Sequence, residues 1–232
     1  MSNYKNECYP SRGKIQKLVI FIHGYNGSPE AIDYAVQSLV NKLENAVVCV
    51  PRAPHICEKN SENLQWFSLF EYDPDAKFRN PQTSTPEIFD IFQHYGESAF
   101  QTAQNLNDFI DTIQQKYGID DDHTYVCGFS QGAMLSAYTS LTRHKKIAGC
   151  IMIAGIIPGM NSFASRILSK PLMLLLHGED DQTVQYKTLP TTVNWLLENH
   201  LDLRIHTYPN LAHQMNDAEM QQAADFINFG KR

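Results

Sequence analysis

The sequence predicts an α/β protein with a mostly parallel central sheet flanked by helices. Short apolar runs, typical of buried strands, alternate with stretches whose apolar residues recur at helical spacing. The chain has 232 residues and an apolar share of 43%, enough for one domain with a sizeable core. No repeat, low-complexity tract or linker divides the chain, so we expect residues 1–232 to form a single domain.

The first unit of this pattern is a strand followed by a helix. The run LVIFI at 18–22 is a candidate buried strand that ends at His23 and Gly24. Ser28 followed by Pro29 is typical of a helix start, with a capping side chain and a proline in the first turn. The helix that follows places six apolar residues on one face: Ile32, Ala35, Val36, Leu39, Val40 and Leu43.

The rest of the chain repeats the alternation. Gly118 is expected to end the longest helix, and Asn216 with Glu219 three residues later resembles a capping box that starts the last helix. Strands are expected at 46–50, 124–127, 150–154, 172–176 and 203–208, and helices at about 99–117, 133–141, 193–199 and 216–229, with a weakly helical stretch at 163–168.

One segment, from Pro51 to Tyr95, breaks the alternation. It is too long for an ordinary connection between a strand and a helix. Segments of this length are usually either functional or disordered, and the many aromatic residues here argue against disorder. These aromatic residues are Trp66, Phe67, Phe70, Tyr72, Phe78, Phe89, Phe92 and Tyr95.

The charge and the polar N-terminus narrow the function classes. The net charge of -6 offers no basic face for phosphates, so a nucleic-acid partner is not expected. Residues 1–17 lack the apolar core of a signal peptide, and no apolar run is long enough to span a bilayer. We therefore expect a cytoplasmic protein without an integral membrane segment.

The five cysteines show neither a C-x-x-C pair nor the spacing of a zinc site. Cys49, Cys127 and Cys150 lie within apolar runs and are expected to be small core residues. Cys8 and Cys57 lie in loop-like segments, where exposure to solvent is common. We expect no disulfide framework and no metal site.

The clearest chemical signal is the motif GFSQG at 128–132, which matches G-x-S-x-G. It lies between an expected strand and an expected helix, which is the context of the sharp turn that exposes the nucleophilic serine of α/β-hydrolases. Glycine suits both flanking positions because a side chain there would collide with the tight turn. On the motif alone, a glycine-rich loop that caps a helix is the alternative.

A serine hydroxyl is a weak nucleophile and needs an adjacent base. In α/β-hydrolases an acid and then a histidine follow the serine, each after a later strand. The strand at 172–176 leads into Glu179, Asp180 and Asp181, of which we choose Asp181; a solvated acidic loop is the alternative. Of the nine histidines, only His213 lies between the last expected strand and the last expected helix, whereas His177 is expected to be structural.

The oxyanion of a tetrahedral intermediate needs preorganised hydrogen-bond donors. The backbone N–H of Gln131, directly after the serine, is one candidate. The turn HGYNG at 23–27 supplies the other, and Tyr25 N–H is the specific candidate because neighbouring glycines let the backbone approach a substrate. Without the other site residues, an ordinary glycine-rich turn would be the favoured interpretation.

Six stretches spread over nearly the whole chain match a known pattern that is far more specific than G-x-S-x-G alone. They are FIHGYNGSP at 21–29, VPRAP at 50–54, WFSL at 66–69, GFSQGAMLSAYTSLTRHKKIAG at 128–149, HGEDDQTV at 177–184 and LAH at 211–213. In these stretches the chain resembles the phospholipase/carboxylesterase family, which includes the acyl-protein thioesterases.

The resemblance implies an α/β-hydrolase fold without a large cap domain, and hydrolysis of carboxylic esters or acyl thioesters without a cofactor. The catalytic serine, aspartate and histidine of the family fall on Ser130, Asp181 and His213. Its oxyanion donors fall on Tyr25 and Gln131.

The chain departs from the family pattern in the aspartate loop. Gln182 replaces the usual proline after the aspartate, and Gln185 replaces a later proline. The segment 51–95 is also long for the family, so the resemblance does not carry substrate preference over to this chain.

We therefore expect a serine esterase or thioesterase that works through an acyl-enzyme. Its substrate is expected to be a small-molecule or lipid ester or thioester, or an S-acylated protein. Trp66, Phe67 and Phe70 are expected to line or cover an apolar pocket beside the serine; packing of a small satellite core is the alternative.

Two other function classes compete with this interpretation. A hydrolase of the same fold could act on peptides or lactones, and a catalytically silent protein of this fold could serve only in binding. A silent protein should have lost at least one catalytic position, yet all three are filled. The sequence leaves the oligomeric state open, including a homodimer.

Overall fold

A computed structural model describes residues 4–230, and a seven-stranded sheet forms its centre. The strands of this part of the chain are β1 (Asn6–Pro10), β2 (Arg12–Ile22), β3 (Glu44–Pro51), β4 (His55–Cys57), β5 (Asn60–Gln65), β6 (Thr124–Phe129), β7 (Gly149–Ile153), β8 (Met173–Gly178) and β9 (Leu203–Tyr208). The central sheet has the order β1-β3-β2-β6-β7-β8-β9, while β4 and β5 form a separate antiparallel pair.

Within the central sheet, only the pairing of β1 with β3 is antiparallel among the described strands. Parallel neighbours need crossover connections, and helices supply most of these connections here. The helices are α1 (Asp33–Lys42), α2 (Thr85–Gln93), α3 (Gly96–Tyr117), α4 (Gln131–Leu141), α5 (Met160–Phe163), α6 (Leu189–Glu198) and α7 (Asp217–Phe229).

The alternation of side chains along each strand supplies two separate cores, because successive residues of a strand point to opposite faces. On β2, Leu18, Ile20 and Ile22 pack with α3 and α4, while Val19 and Phe21 pack with α1 and α7. All five side chains are fully buried. The sequences of the inner strands are therefore continuous apolar runs, which is typical of a sheet covered on both faces.

The observed sheet confirms the predicted α/β class and the mostly parallel arrangement. Each expected strand and helix is present with ends shifted by a few residues, and β9 matches its expected range of 203–208. Gly118 has φ of 66° and ends α3, and Asn216 with Glu219 forms the capping box of α7. The first helix begins later than expected, because the residues after Pro29 form a 3₁₀ turn before α1.

Four features were missed by the sequence analysis: β1, the first half of β2, the β4–β5 pair and α2. The first three are partly exposed and polar, so they lack a long apolar run. The start of α2 did carry a signal, since Ser84 and Glu87 form a capping box with Pro86 in the first turn.

The aromatic segment, residues 51–95, is ordered and packs onto the main core. It contains β4, β5, a 3₁₀ turn at Lys77–Arg79 and α2. Gly27 pairs with Leu64 of β5, which attaches the hairpin to the loop after β2. The aromatic residues buried in the core on the α3 and α4 side of the sheet are Trp66, Phe67, Phe78, Phe89, Phe92 and Tyr95.

The cysteines depart from expectation in two respects. Cys8 on β1 lies directly opposite Cys49 on β3, and the two form a disulfide that ties the edge strand to the sheet. Spacing in the sequence gave no sign of this register. Cys57 is buried instead of exposed, while Cys127 and Cys150 are buried core residues as expected.

Among residues 4–230, no helix combines the length and the apolar character that crossing a bilayer requires.

The disulfide closes a loop between residues 41 positions apart, so it should stabilise the fold by restricting the unfolded chain. We expect Cys8→Ala to lower the free energy of unfolding by about 2–4 kcal/mol under oxidising conditions. Urea unfolding of both proteins with and without a thiol reductant measures this effect. The two proteins should become nearly equal in reductant; an equal difference under both conditions would contradict the disulfide's role.

Candidate active site

The candidate nucleophile lies on a sharp turn between β6 and α4. Ser130 is the single residue between these two elements, with φ of 57° and ψ of -117°. A positive φ is sterically unfavourable for a residue with a side chain, and such strain is held in place by the surrounding structure. Here the Ser130 N–H donates to Ile153 O of the neighbouring strand β7 at 2.9 Å.

The two glycines of the motif allow the turn to pack closely. A Cβ atom on Gly128 would lie 2.0 Å from Gly132 O, and one on Gly132 would lie 2.0 Å from Ile22 O. Both contacts are with backbone, so any side chain would push the strand and the helix apart. The spacing of the motif therefore follows from the close packing of β6, α4 and β2.

The structure brings Ser130, His213 and Asp181 into one chain of hydrogen bonds. Ser130 Oγ lies 2.9 Å from His213 Nε2, and His213 Nδ1 lies 2.7 Å from Asp181 Oδ2. Asp181 is fully buried, Ser130 is nearly so, and the His213 side chain keeps 17% exposure. A nucleophile, a base and a carboxylate that orients the base are thus within reach of one another.

The three residues meet because each follows the carboxyl end of a parallel strand. Parallel strands present their carboxyl ends at one edge of the sheet. Ser130 follows β6, Asp181 lies beyond the end of β8, and His213 comes from the loop after β9. Residues distant in the chain therefore meet above that edge.

The carboxylate of Asp181 has several hydrogen-bond donors around it. Its Oδ1 accepts from the N–H groups of Thr183 at 2.8 Å and Val184 at 3.0 Å. His177 Nε2 lies 3.4 Å from Oδ2 and 2.9 Å from Val184 O. Both neighbours of that nitrogen are acceptors, so His177 carries its proton on Nε2.

These donors keep Asp181 ionised. Burial by itself would raise the pKa of Asp181, but hydrogen bonds from His177 and His213 and their charges outweigh burial and lower it to about 2. Asp181 is therefore a carboxylate at neutral pH.

The other two acids of the loop have different surroundings. The Glu179 carboxylate accepts from Thr207 Oγ1 at 2.7 Å on the exposed side of the sheet edge. Asp180 is exposed to solvent. Of the three acids considered from the sequence, Asp181 is the one whose carboxylate contacts His213.

The loop that carries His213 is held from both sides. The Phe129 ring packs against the imidazole, with 4.8 Å between ring centroids. Three residues after His213, the capping box begins α7: Glu219 Oε2 accepts from Asn216 N–H at 3.0 Å, and Asn216 Oδ1 accepts from Glu219 N–H at 2.9 Å. The helix start thus fixes the end of the histidine loop.

Glu219 is also a buried ionisable group close to Asp181 and His177. Burial raises its pKa to about 7, with repulsion from Asp181 adding to the rise and the Asn216 N–H and His177 opposing it. Its second oxygen, Oε1, and the hydroxyl of Tyr208 are both buried without a hydrogen-bond partner within residues 4–230. A partly protonated Glu219 at neutral pH avoids placing a second negative charge near Asp181.

The two candidate oxyanion donors flank the serine. Gln131 is the first residue of α4, where a backbone N–H has no acceptor within the helix. The Gly24–Tyr25 turn approaches from β2: a Cβ atom on Gly24 would lie 3.3 Å from Ser130 Cβ. Tyr25 follows Gly24 directly, so its amide belongs to the turn that approaches the nucleophile.

The side chain of Gln131 holds the aromatic segment against this turn. Its Oε1 accepts from Trp66 N–H at 3.1 Å, and its Nε2 donates to Phe67 O at 2.9 Å. The indole N–H of Trp66 donates to His23 O at 2.8 Å. His23 begins the turn at 23–27, which carries the candidate donor Tyr25 and which we call the oxyanion turn. Gln131 is fully buried and its side-chain amide cannot reach water. These hydrogen bonds therefore satisfy the amide in place of water.

His23 itself is neutral. Its Nε2 accepts from Ala53 N–H at 3.1 Å, so the proton lies on Nδ1, which donates to Gly24 O at 2.8 Å. Burial lowers the pKa of His23 to about 4. This histidine shapes the turn and has no spare nitrogen for catalysis.

The three aromatic residues expected at a substrate pocket have unequal positions. Trp66 is 1% exposed and Phe67 is 7% exposed, so both side chains lie within the core. Phe70 is partly exposed, and its ring lies 5.7 Å from that of Tyr25 and 3.9 Å from Lys59 Nζ. Phe70 is thus the one of the three whose ring is partly accessible next to the oxyanion turn.

The sequence analysis expected His177 to be structural without giving its contact with Asp181, and it missed the supporting contacts of the Gln131 amide and of Gln185. Gln185 Nε2 donates to Phe78 O at 2.7 Å and Asn80 O at 3.0 Å. This glutamine stands where the family pattern has a proline, and it connects the aspartate loop to the aromatic segment. The replacement of that proline by Gln185 was the signal in the sequence that could have indicated this contact.

Two cavities differ in their distance from the site. One of about 320 Å³ adjoins His213 and the oxyanion turn. A larger one of about 570 Å³ is lined by Arg143, His144 and residues of α3. Arg143 follows the far end of α4, a helix of 11 residues, so this cavity lies about 16 Å or more from Ser130.

The comparisons with known proteins bear on the family and the fold of the chain. The family model described as phospholipase/carboxylesterase matches residues 4–230. The chain belongs to the phospholipase/carboxylesterase family. It is therefore an ester hydrolase, as the resemblance in the sequence predicted.

Individual relatives cover nearly the whole chain at low identity. Acyl-protein thioesterase 1 of Neurospora crassa is 26% identical over 94% of this chain and 88% of its own length. Carboxylesterase SOBER1 of Arabidopsis thaliana is 23% identical over 90% of this chain and 89% of its own length. The crystal structure of esterase PE8 matches with a TM-score of 0.81 at 24% identity, covering 97% of this chain and 98% of its own, which supports the fold.

Replacing Glu219 with glutamine keeps a capping oxygen but removes the titration. The pKa of Glu219 is raised from 4.5 to about 7 in the folded protein, so its contribution to stability is present below pH 4.5 and lost as the pH rises through 7. Relative to Glu219→Gln, we expect the wild type to lose on the order of 3 kcal/mol of unfolding free energy between pH 4.5 and 8.

Urea unfolding across this pH range measures the difference. Glu87→Gln is the matched control, because Glu87 has the same capping-box position on α2 but is exposed and has a lowered pKa. It should show no such loss. If wild type and Glu219→Gln kept a constant difference across the range, the raised pKa would be wrong.

Proposed function

We propose that the chain hydrolyses carboxylic esters or acyl thioesters by two-step acyl transfer through Ser130, His213 and Asp181. The observation that carries this proposal is the continuous chain of hydrogen bonds from Ser130 Oγ to His213 Nε2 and from His213 Nδ1 to Asp181. The strained turn at Ser130 and the glycine-lined turn at Tyr25 support it.

In the first step, Ser130 Oγ attacks the acyl carbonyl carbon while His213 Nε2 takes its proton. The carbonyl oxygen gains a negative charge, which the N–H groups of Tyr25 and Gln131 stabilise. Collapse of this tetrahedral intermediate expels the alcohol or thiol. The proton on His213 Nε2 passes to that leaving oxygen or sulfur, which leaves an acyl-enzyme on Ser130.

In the second step, water attacks the acyl carbonyl carbon and gives a proton to His213. Collapse releases the carboxylic acid and returns the proton to Ser130 Oγ. Asp181 keeps the proton of His213 on Nδ1 and offsets the positive charge of the imidazolium. His177 supports this role, because its Nε2 lies 3.4 Å from the same Oδ2 that His213 contacts.

An acyl chain extending from the carbonyl carbon would meet the aromatic segment. Phe67 O is bonded to the Gln131 side chain, and the Phe70 ring contacts the Tyr25 ring. We therefore retain Phe70 as a residue that lines the acyl side, with Trp66 and Phe67 contributing from the core beneath it.

The substrate and cellular setting are proposals at a finer level. The names of the relatives, acyl-protein thioesterase and carboxylesterase, support both S-acylated proteins and smaller esters as substrates. The expected cytoplasmic location stays a prediction, and the Cys8–Cys49 disulfide is a feature more common in oxidising compartments. A homodimer also stays a prediction.

The direct test of the serine is its replacement. Ser130→Ala removes the nucleophile without changing the hydrogen-bonding of the core, and we expect turnover of p-nitrophenyl butyrate to fall by at least about 10³-fold. Mass spectrometry after treatment with a fluorophosphonate should place the label on Ser130 in wild type and find none in the variant. A folded Ser130→Ala protein with full activity would contradict the mechanism.

The acyl side can be tested with esters that share one leaving group. Phe70→Ala should lower kcat/KM about three- to tenfold for p-nitrophenyl octanoate and decanoate, and much less for the acetate, because only a long chain reaches the ring. Leu168→Ala, an exposed apolar residue at the distant cavity, is the control. An unchanged chain-length profile with lowered thermal stability would assign Phe70 to packing alone.

A further inference from the structure

The cavity beside His213 is a recess next to the oxyanion turn, and Phe70 is not among its lining residues. This leaving-group cleft, as we name it, has a volume of about 320 Å³. Its walls are the turn at 24–27, the start of α1, Phe129 and the loop at 213–215. The lining residues are Gly24, Tyr25, Asn26, Gly27, Ala31, Ile32, Tyr34, Ala35, Phe129, His213, Gln214 and Met215.

The position of His213 decides which part of a substrate this cleft can hold. The leaving oxygen or sulfur must receive a proton from His213 Nε2, so the leaving group departs on the histidine side of the tetrahedral carbon. The cleft is bounded by His213 on one wall and by the oxyanion turn on another. Residues 51–95, which we assign to the acyl side, contribute nothing to its described lining.

The chemistry of the walls limits what can bind. Of the lining residues, none is Asp, Glu, Lys or Arg. Tyr34, Phe129 and Met215 offer two rings and a thioether, whereas the ring of the lining residue Tyr25 contacts Phe70. Tyr34 lies on the first turn of α1 and is 68% exposed, so its side chain is accessible to a ligand.

We infer that this cleft binds the alcohol or thiol portion of the substrate, and that it selects an uncharged leaving group bearing an aromatic ring. The inference rests on the proposed function, because it needs His213 to act as the proton donor. Tyr34 is the specificity residue: its ring is free to cover that of the leaving group while taking no part in the hydrogen bonds of the triad.

Two-step acyl transfer isolates this subsite experimentally. Esters of one acid give the same acyl-enzyme, so their leaving groups affect only the first step. Differences among such esters therefore appear in kcat/KM, while the hydrolysis of the acyl-enzyme is common to all of them. Butyrate esters with different alcohols would vary the leaving group alone.

The first experiment compares methyl, benzyl and 2-naphthylmethyl butyrate in wild type, Tyr34→Ala, Tyr34→Phe and Leu197→Ala. In wild type we expect kcat/KM to be higher for the benzyl and 2-naphthylmethyl esters than for the methyl ester. Tyr34→Ala should lower kcat/KM about three- to tenfold for the benzyl and 2-naphthylmethyl esters and little for the methyl ester, as removal of one aromatic contact predicts. Tyr34→Phe should retain the wild-type preference. Leu197, exposed on α6 outside the cleft, is the control.

The second experiment tests the requirement for an uncharged group. The 4-methylbenzyl and 4-carboxybenzyl esters of butyric acid have nearly the same size and differ in a carboxylate. We expect kcat/KM for the carboxylate to be at least about fivefold lower, because no cation in the cleft compensates its loss of water. Equal values for this pair would overturn the selectivity for uncharged groups.

Failure of the inference and failure of the proposed function give different results. If wild type and Tyr34→Ala hydrolyse all three alcohol esters with the same flat profile, the cleft is not a leaving-group subsite, while the esterase mechanism stands. If no ester is hydrolysed and a fluorophosphonate does not label Ser130, the proposed function itself is wrong and the inference is overturned with it.

Discussion

The buried carboxylate of Asp181 is the constraint on which the rest of the site depends. An ionised group removed from water is costly unless it is paired and hydrogen-bonded. The fold satisfies Asp181 with two histidines and two backbone N–H groups of its own loop. One of those histidines, His213, must turn its other nitrogen outward, where it meets Ser130. The arrangement that stabilises the buried carboxylate is therefore the same arrangement that presents His213 to Ser130, as the proposed mechanism requires.

Hydrogen bonds hold the aromatic segment against the site near the nucleophile and near the aspartate loop. At the nucleophile, the side chain of Gln131 bonds to the backbone of Trp66 and Phe67, while the main chain of Gln131 supplies a candidate oxyanion donor. At the aspartate loop, Gln185 and Lys187 bond to backbone carbonyls between positions 78 and 83. The segment is therefore held in place beside the proposed acyl side, and none of its residues lines the cleft beside His213.

The sequence predicted the parts of the molecule that depend on local pattern and chain order. Ser130 was predicted from its motif between a strand and a helix, and His213 from its place before the last helix. What could not be predicted depends on register or on side-chain contacts across the fold. The pairing of Cys8 with Cys49 needs the alignment of an edge strand that has no apolar run, and His177 gains its role only because the loop folds Asp181 back onto it.

The most direct test of the account is a crystal structure of the protein after reaction with a fluorophosphonate, whose tetrahedral phosphorus resembles the intermediate of acyl transfer. The account predicts a bond from Ser130 Oγ to phosphorus, with the phosphoryl oxygen at about 2.7–3.1 Å from the backbone nitrogens of both Tyr25 and Gln131. An adduct whose phosphoryl oxygen points into solvent, away from both nitrogens, would contradict it.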